Sequence, residues 1–297
     1  MKFANISLDG QPALAVQRGA ELALLPADYE GQGTIASLED LLDRHPVGAG
    51  WEELAAKLAR DAGGFAAALP GSFRWRPIVE RPQKIICVGL NYGAHIAETG
   101  NSGSEQPVLF SKFANALAAH DQPIPIPAAA QHMDYEAELV IVMGRRCHQV
   151  PASRALQYVL GYTTGNDVSA RDLQHRSGQW LIGKSLDAFG PVGPYCTTAD
   201  EVGDPQRLAI QLTRNGTLCQ DANTQDMIFS CAEIVAYAST LWTLLPGDIL
   251  FTGTPNGVIN GMPPESQHWL APGDQVAVTI EKLGTLANTF TGPRAGA

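Results

Sequence analysis

An α+β architecture dominated by strands is the fold class this sequence predicts. Three observations carry it. Six short β-rich runs follow residue 84, namely "KIICVGL", "AELVIVMG", "YVLGYTTGND", "RLAIQLTRNG", "DILFTGTP" and "QVAVTIEKLG", each bounded by Gly, Pro or Asp. Only one helix in that stretch is strongly signalled, so strands do not alternate with helices as repeated βαβ units require. The 30 Gly and 20 Pro residues agree with many turns. A closed or sandwich-like β body follows from these features.

Taken in order, the 297 residues divide into two unequal parts. Residues 1–79 read as a small N-terminal α+β domain, and 80–297 as the main domain. In the first part "KFANISL" and "PALAVQRGAELALL" predict strands, and "SLEDLLDRHP" and "GWEELAAKLARDAGG" predict helices. Ser37 with Asp40 marks a helix start, and Pro46 with Gly48 a stop. The Pro-rich "PGSFRWRPIVERPQ" joins the two parts. In the second part Ser230 and Glu233 form a capping box. Ile234, Tyr237, Ala238, Leu241 and Leu245 keep helical spacing until Pro246-Gly247.

Composition excludes some partners. The net charge is −10 and no Lys/Arg cluster stands out, which argues against nucleic acid. No segment has the length of a membrane span, and the N-terminus lacks the apolar core of a signal peptide. Five cysteines without C-x-x-C spacing predict neither a disulfide framework nor a zinc ribbon, and point to a reducing cytoplasm.

"GQWLIGKS" at 178–185 fits the P-loop pattern letter for letter. Its context does not. Gln179, Trp180, Leu181 and Ile182 are bulky, the upstream "DLQHRS" is no buried strand, and the downstream glycines and prolines forbid a long helix. Lys184 therefore calls for a different chemistry.

"DYEAELVIVMG" supplies paired carboxylates. In a strand, Glu136 and Glu138 share a face, with Cα atoms roughly 6–7 Å apart. An isolated Glu-x-Glu is more often a wet strand face, but Val140, Ile141 and Val142 make that face uncomfortable. A divalent cation would relieve both repulsion and desolvation. Asp167 in "GYTTGNDVSARDLQ" is the candidate third ligand, with Asp172 its competitor. In "VGLNYGAHIAETG", His95 and Glu98 stand at i, i+3 spacing, where a carboxylate can orient an imidazole as a general base. Taken alone, each of these groupings also fits an ordinary polar surface.

Together and in this order the segments resemble the fumarylacetoacetate hydrolase superfamily. The blocks are "VGLNYGAHIAE", "FSKFANAL", "DYEAELVIVMGR", "GYTTGNDVSARDLQ", "WLIGKSLDAFGPVGPY", "NGTLCQDANTQDMIF" and "LLPGDILFTGTPNGV". The resemblance covers nearly all of 84–290 and is nearest to the prokaryotic and domain-containing branch. It implies a mixed β-sandwich roll for the catalytic domain, with a variable N-terminal domain. It implies that Glu136, Glu138 and Asp167 bind Mg²⁺ or Mn²⁺, with Ca²⁺ also admitted. His95 and Glu98 match the water-activating dyad, and Lys184 matches the active-site lysine. Gln174 and Thr254 match substrate-side residues. The implied substrate is a small 2-oxo or diketo acid such as an acylpyruvate, of the kind met in aromatic catabolism, cleaved by hydrolysis in a homodimeric enzyme. Decarboxylation of oxaloacetate, or isomerisation of a 2-oxo-diene-dioate, is the alternative on the same scaffold.

Overall fold

The computed structural model describes residues 1–31, 33–48 and 50–293. Its organising element is the strand Ala137–Met143, buried along its whole length. It pairs antiparallel with Val159–Asn166 on one side and Ile249–Phe251 on the other. Strand side chains alternate, so this strand feeds two cores. Leu139, Ile141 and Met143 pack with Ile234 and Val235 of the Cys231–Leu241 helix and with Ile210 and Val278 of a smaller sheet. Val140 and Val142 pack with Leu38 and Leu58 of the N-terminal helices. Burying each such side chain contributes about 1.5–3 kcal/mol. Covering both faces explains why "LVIVM" is a continuous apolar run, without the alternation of a half-wet strand.

Among the described residues the main sheet has twelve strands. From the central strand it runs one way through Ile249–Phe251 and Ile85–Gly89 to Val108–Ser111. The other way it passes Val159–Asn166 and Gly190–Thr198 to Lys2–Leu8, Gln11–Arg18, Glu21–Leu24 and Ala67–Ala68. Lys2 and Phe3 register with Thr197 and Cys196, so the strands of residues 1–79 continue the main sheet. Five further strands form the second sheet, with Ala209–Arg214 paired to Gln275–Ile280 at its middle. This is the mainly-β, mixed architecture that the turn-bounded runs predict.

Helix boundaries follow the local signals. Ser37 accepts a hydrogen bond from the Asp40 amide and starts the Leu38–Arg44 helix. Ser230 and Glu233 complete a reciprocal capping box at the start of Cys231–Leu241. One run departs from expectation. "DYEAELVIVMG" is not a single strand: Met133–Asp134 pairs with Ser169–Ala170, and the ladder resumes at Ala137. Glu136 lies at the junction, where its amide donates to Asn166 Oδ1 at 3.0 Å and its carbonyl accepts from the Asp167 amide. The break brings 134–136 against 166–171, which positions the site. No helix among the described residues is long and apolar enough to cross a membrane.

Candidate active site and metal centre

Glu138 sits in the central strand, Glu136 at the break before it, and Asp167 just beyond the end of the neighbouring strand Val159–Asn166. One carboxylate oxygen from each lies within 4.8 Å of the others, and all three residues are buried. A wet strand face is thereby excluded. Asp172 goes elsewhere, accepting the amides of Gln131 and His132.

Three cations converge on this cluster. Lys184 Nζ donates to Glu136 Oε2 at 2.8 Å and to Asp167 Oδ2 at 2.9 Å. Two of its three protons are then used, and the ammonium lies 5.2 Å from the centre of the Phe110 ring. Arg171 donates through Nη2 to Glu136 Oε1 at 2.6 Å, through Nε to Asp134 Oδ2 at 2.8 Å and through Nη1 to Gln174 Oε1 at 2.9 Å. Lys112 is also buried and approaches Asp167 Oδ1 to 2.5 Å. Its protons, however, go to the carbonyls of Val168, Lys184 and Phe189. Asp167 Oδ1 is consequently left without a hydrogen-bond donor although an ion-pair partner is close.

The electrostatics follow from these contacts. Burial pushes Glu136 up, but Lys184 and Arg171 outweigh it and hold the carboxyl below its ordinary range. Burial pushes Glu138 well up, and the charges of Asp167 and Glu136 push it further. Its single backbone partner, the Gly253 amide at 2.7 Å, does not compensate. Burial lowers Lys184, yet Asp167 and Glu136 more than restore it and keep the ammonium charged. An all-oxygen set with one orphaned carboxylate oxygen and one carboxylate destabilised by its neighbours fits a hard divalent cation.

The GKS segment belongs to the same site. Leu181–Lys184 is a four-residue helix packed on the helix Arg171–Gln174. A Cβ on Gly183 would come within 2.5 Å of the Gln174 amide nitrogen, so this glycine permits helix contact and cradles no phosphate. The geometry thus delivers Lys184 to carboxylates.

His95 and Glu98 ride the short helix Gly93–Thr99. Glu98 Oε1 lies 2.9 Å from His95 Nδ1, and Glu98 Oε2 accepts the Gly257 amide at 2.9 Å. A carboxylate on Nδ1 selects the tautomer with the proton there and leaves Nε2 as the acceptor. His95, Glu136, Glu138, Lys184, Gln174 and Thr254 line one cavity of about 140 Å³. Thr254 Oγ1 accepts from Gln220 Nε2 at 3.0 Å.

Sequence reading assigned no role to Lys112, Asp134, Arg171 or Gln220, which hold the others in place. Their available signal was a charged or amide side chain inside an apolar or turn-rich run, as in "LFSKF" and "SARDL". Periodicity alone cannot say that such a residue turns inward.

A buried carboxylate cluster beside an imidazole and a lysine, in a β-rich body, is the arrangement of a small-molecule enzyme, and its three carboxylates form a candidate divalent-cation site. The chain belongs to the fumarylacetoacetate hydrolase family. Residues 84–291 match the family model described as "Fumarylacetoacetate (FAA) hydrolase C-terminal". It is 40% identical over 241 residues to "Oxaloacetate tautomerase Fahd2a, mitochondrial" of Rattus norvegicus, covering 80% of this chain and 76% of that protein. Among solved structures it is similar to fumarylacetoacetate hydrolase from Exiguobacterium antarcticum, with TM-score 0.83 and 33% identity over 98% of this chain and 99% of that one. It is also similar to maleylpyruvate hydrolase from Sphingobium in complex with manganese(II) and pyruvate. There the TM-score is 0.80 and the identity 29%, over 99% of this chain and all of the other.

Proposed function

We propose that this chain is a divalent-metal-dependent hydrolase that cleaves a C–C bond in a diketo acid of the acylpyruvate type. The observation that carries the reading is the convergence of Glu136, Glu138 and Asp167 in one cavity with the hydrogen-bonded His95–Glu98 pair. Glu136, Glu138 and Asp167 would hold Mg²⁺ or Mn²⁺, and Ca²⁺ is compatible with the same oxygens. The bound cation supplies Lewis-acid stabilisation of charge on the 2-oxo acid oxygens.

The chain's own residues do the rest. His95 Nε2 takes a proton from water, and Glu98 holds the opposite ring nitrogen so that the imidazolium is stabilised. The oxygen of that water adds to the distal carbonyl. Lys184, with a proton not used by Glu136 or Asp167, faces the negative charge that develops there. Gln174 and Thr254 line the cavity as substrate-side polar groups. The C–C bond then breaks, its electron pair stays on the pyruvate portion, and a proton returns there. Acylpyruvate and water become a carboxylic acid and pyruvate.

Charge supports a monoanionic substrate. Asp134, Glu136, Glu138 and Asp167 face Lys112, Lys184 and Arg171, so four negative charges oppose three positive when all are ionised. A divalent cation with one substrate carboxylate brings the sum to zero. The proposal includes a homodimer, and a reducing cytoplasmic setting in keeping with the five free cysteines.

A second reading is enolisation or decarboxylation of oxaloacetate, favoured by the 40% identity to the rat tautomerase. It uses the same base without water attack. Incubation with acetylpyruvate and with oxaloacetate, in Mg²⁺ or Mn²⁺, separates the two by product. Acetate and pyruvate from acetylpyruvate support hydrolysis; turnover of oxaloacetate alone sinks it.

A further inference from the structure

Glu98 is held from behind by a turn. Its Oε2 accepts the Gly257 amide, and Gly261 lies against its side chain. A Cβ built on Gly261 would stand 2.6 Å from Glu98 Cδ, 2.7 Å from Cγ and 2.9 Å from Oε2. Gly261 is not among the residues with positive φ, so its backbone does not demand glycine. What demands it is the space taken by Glu98.

The turn cannot retreat to make room. The amides of Ile259 and Asn260 donate to the Asp134 carboxylate at 2.9 and 3.1 Å, and Asp134 is fastened to Arg171. Gly257 at the other end has φ of 99°, and a Cβ there would meet the Cys219 carbonyl oxygen at 2.2 Å. A methyl group on Gly261 must therefore be accommodated by Glu98. Glu98 is itself tied to His95 Nδ1.

We propose that Gly261 is a positioning residue: its missing Cβ seats Glu98 against His95, so the 257–261 turn holds the carboxylate on the imidazole Nδ1. The inference rests on the reading of His95 as the base, but its structural half is measurable without turnover.

The test is Gly261→Ala, alone and combined with Glu98→Ala. NMR of the imidazole ring nitrogens, with the His95 resonances identified by their loss in His95→Gln, reads the Nδ1 hydrogen bond directly. Gly261→Ala is expected to move the His95 ring-nitrogen shifts toward those of Glu98→Ala. It should lower kcat about 10²-fold, the scale of a 1 Å misplacement, while stabilisation by Mn²⁺ is retained. On the Glu98→Ala background the same substitution should change neither the ring-nitrogen shifts nor kcat, because the clash is gone. His95 ring-nitrogen shifts unchanged by Gly261→Ala overturn the proposal. So does an equal effect in the presence and absence of the Glu98 side chain. If Gly261→Ala alone does not fold, the double variant must fold; its failure places the clash elsewhere and also overturns the proposal. Absence of turnover in the wild type on every 2-oxo acid would count against the hydrolase reading and leave the NMR result standing.

Discussion

The two halves of the site are held in opposite ways. Glu136, Glu138 and Asp167 are anchored at the ends of paired strands and tied by Lys184, Arg171 and Lys112, all buried. His95 and Glu98 sit on a seven-residue helix whose carboxylate reaches the body through one backbone amide. The charged half is preorganised, because buried carboxylates that could move would lose their compensation. The dyad half has no cationic partner of that kind; it is held by the Gly257 amide and by close packing of Glu98 on Gly261. Ion pairs fix one half and steric fit fixes the other.

That contrast can be broken at either end. The largest effect belongs to Lys184→Ala. Turnover should fall by about 10²–10³, as on loss of one oxyanion donor, and the metal-free protein should lose about 3–5 kcal/mol as Glu136 and Asp167 lose the ammonium they share and keep only Arg171 and Lys112. Steady-state kinetics and urea unfolding check both; a variant with near wild-type kcat removes Lys184 from the chemistry. Next is Glu136→Ala, which should abolish the rise in melting temperature on adding Mn²⁺. For the wild type that rise corresponds to about 2.7 kcal/mol when Mn²⁺ is 100-fold above its dissociation constant. A rise that survives the substitution means the ion binds elsewhere. Glu98→Gln should leave Mn²⁺ stabilisation intact while lowering kcat about 10²-fold. Loss of metal binding in that variant would erase the distinction between the halves.

The smallest effect lies outside the site. Burial lowers the pKa of His120, against a partial opposing pull from Asp121. Its folded pKa is below the unfolded value of about 6.5, so the unfolded chain binds the proton first as pH falls. Stability from this group is present above that value and lost below it. The fall in melting temperature from pH 7 to pH 5 should therefore be smaller in His120→Gln than in the wild type, and an equal fall would contradict the assignment.

Much of the fold was legible because its signals are local. The capping box at Ser230–Glu233, the start at Ser37 and the turn-bounded strands all appear where short-range chemistry puts them. The charged residues flagged as unusual in apolar surroundings, Glu138 above all, prove to be buried. The break at Glu136 was not legible, because it depends on Asn166 from the neighbouring strand taking its amide. Lys112 was also illegible: its meaning comes from three carbonyls 56 to 77 residues away in the chain. Arg171 reads locally as one more charge in a short polar helix, and only the fold carries it to Asp134 and Glu136. The continuation of the main sheet into residues 1–79 likewise rests on the pairing of Phe3 with Cys196, far apart in the chain.

The most direct test of the central claim is an anomalous-scattering map at the manganese edge from a crystal soaked in Mn²⁺. A single strong peak bonded to oxygens of Glu136, Glu138 and Asp167 is the predicted result. A peak only at other residues, or none at full soaking, would contradict it.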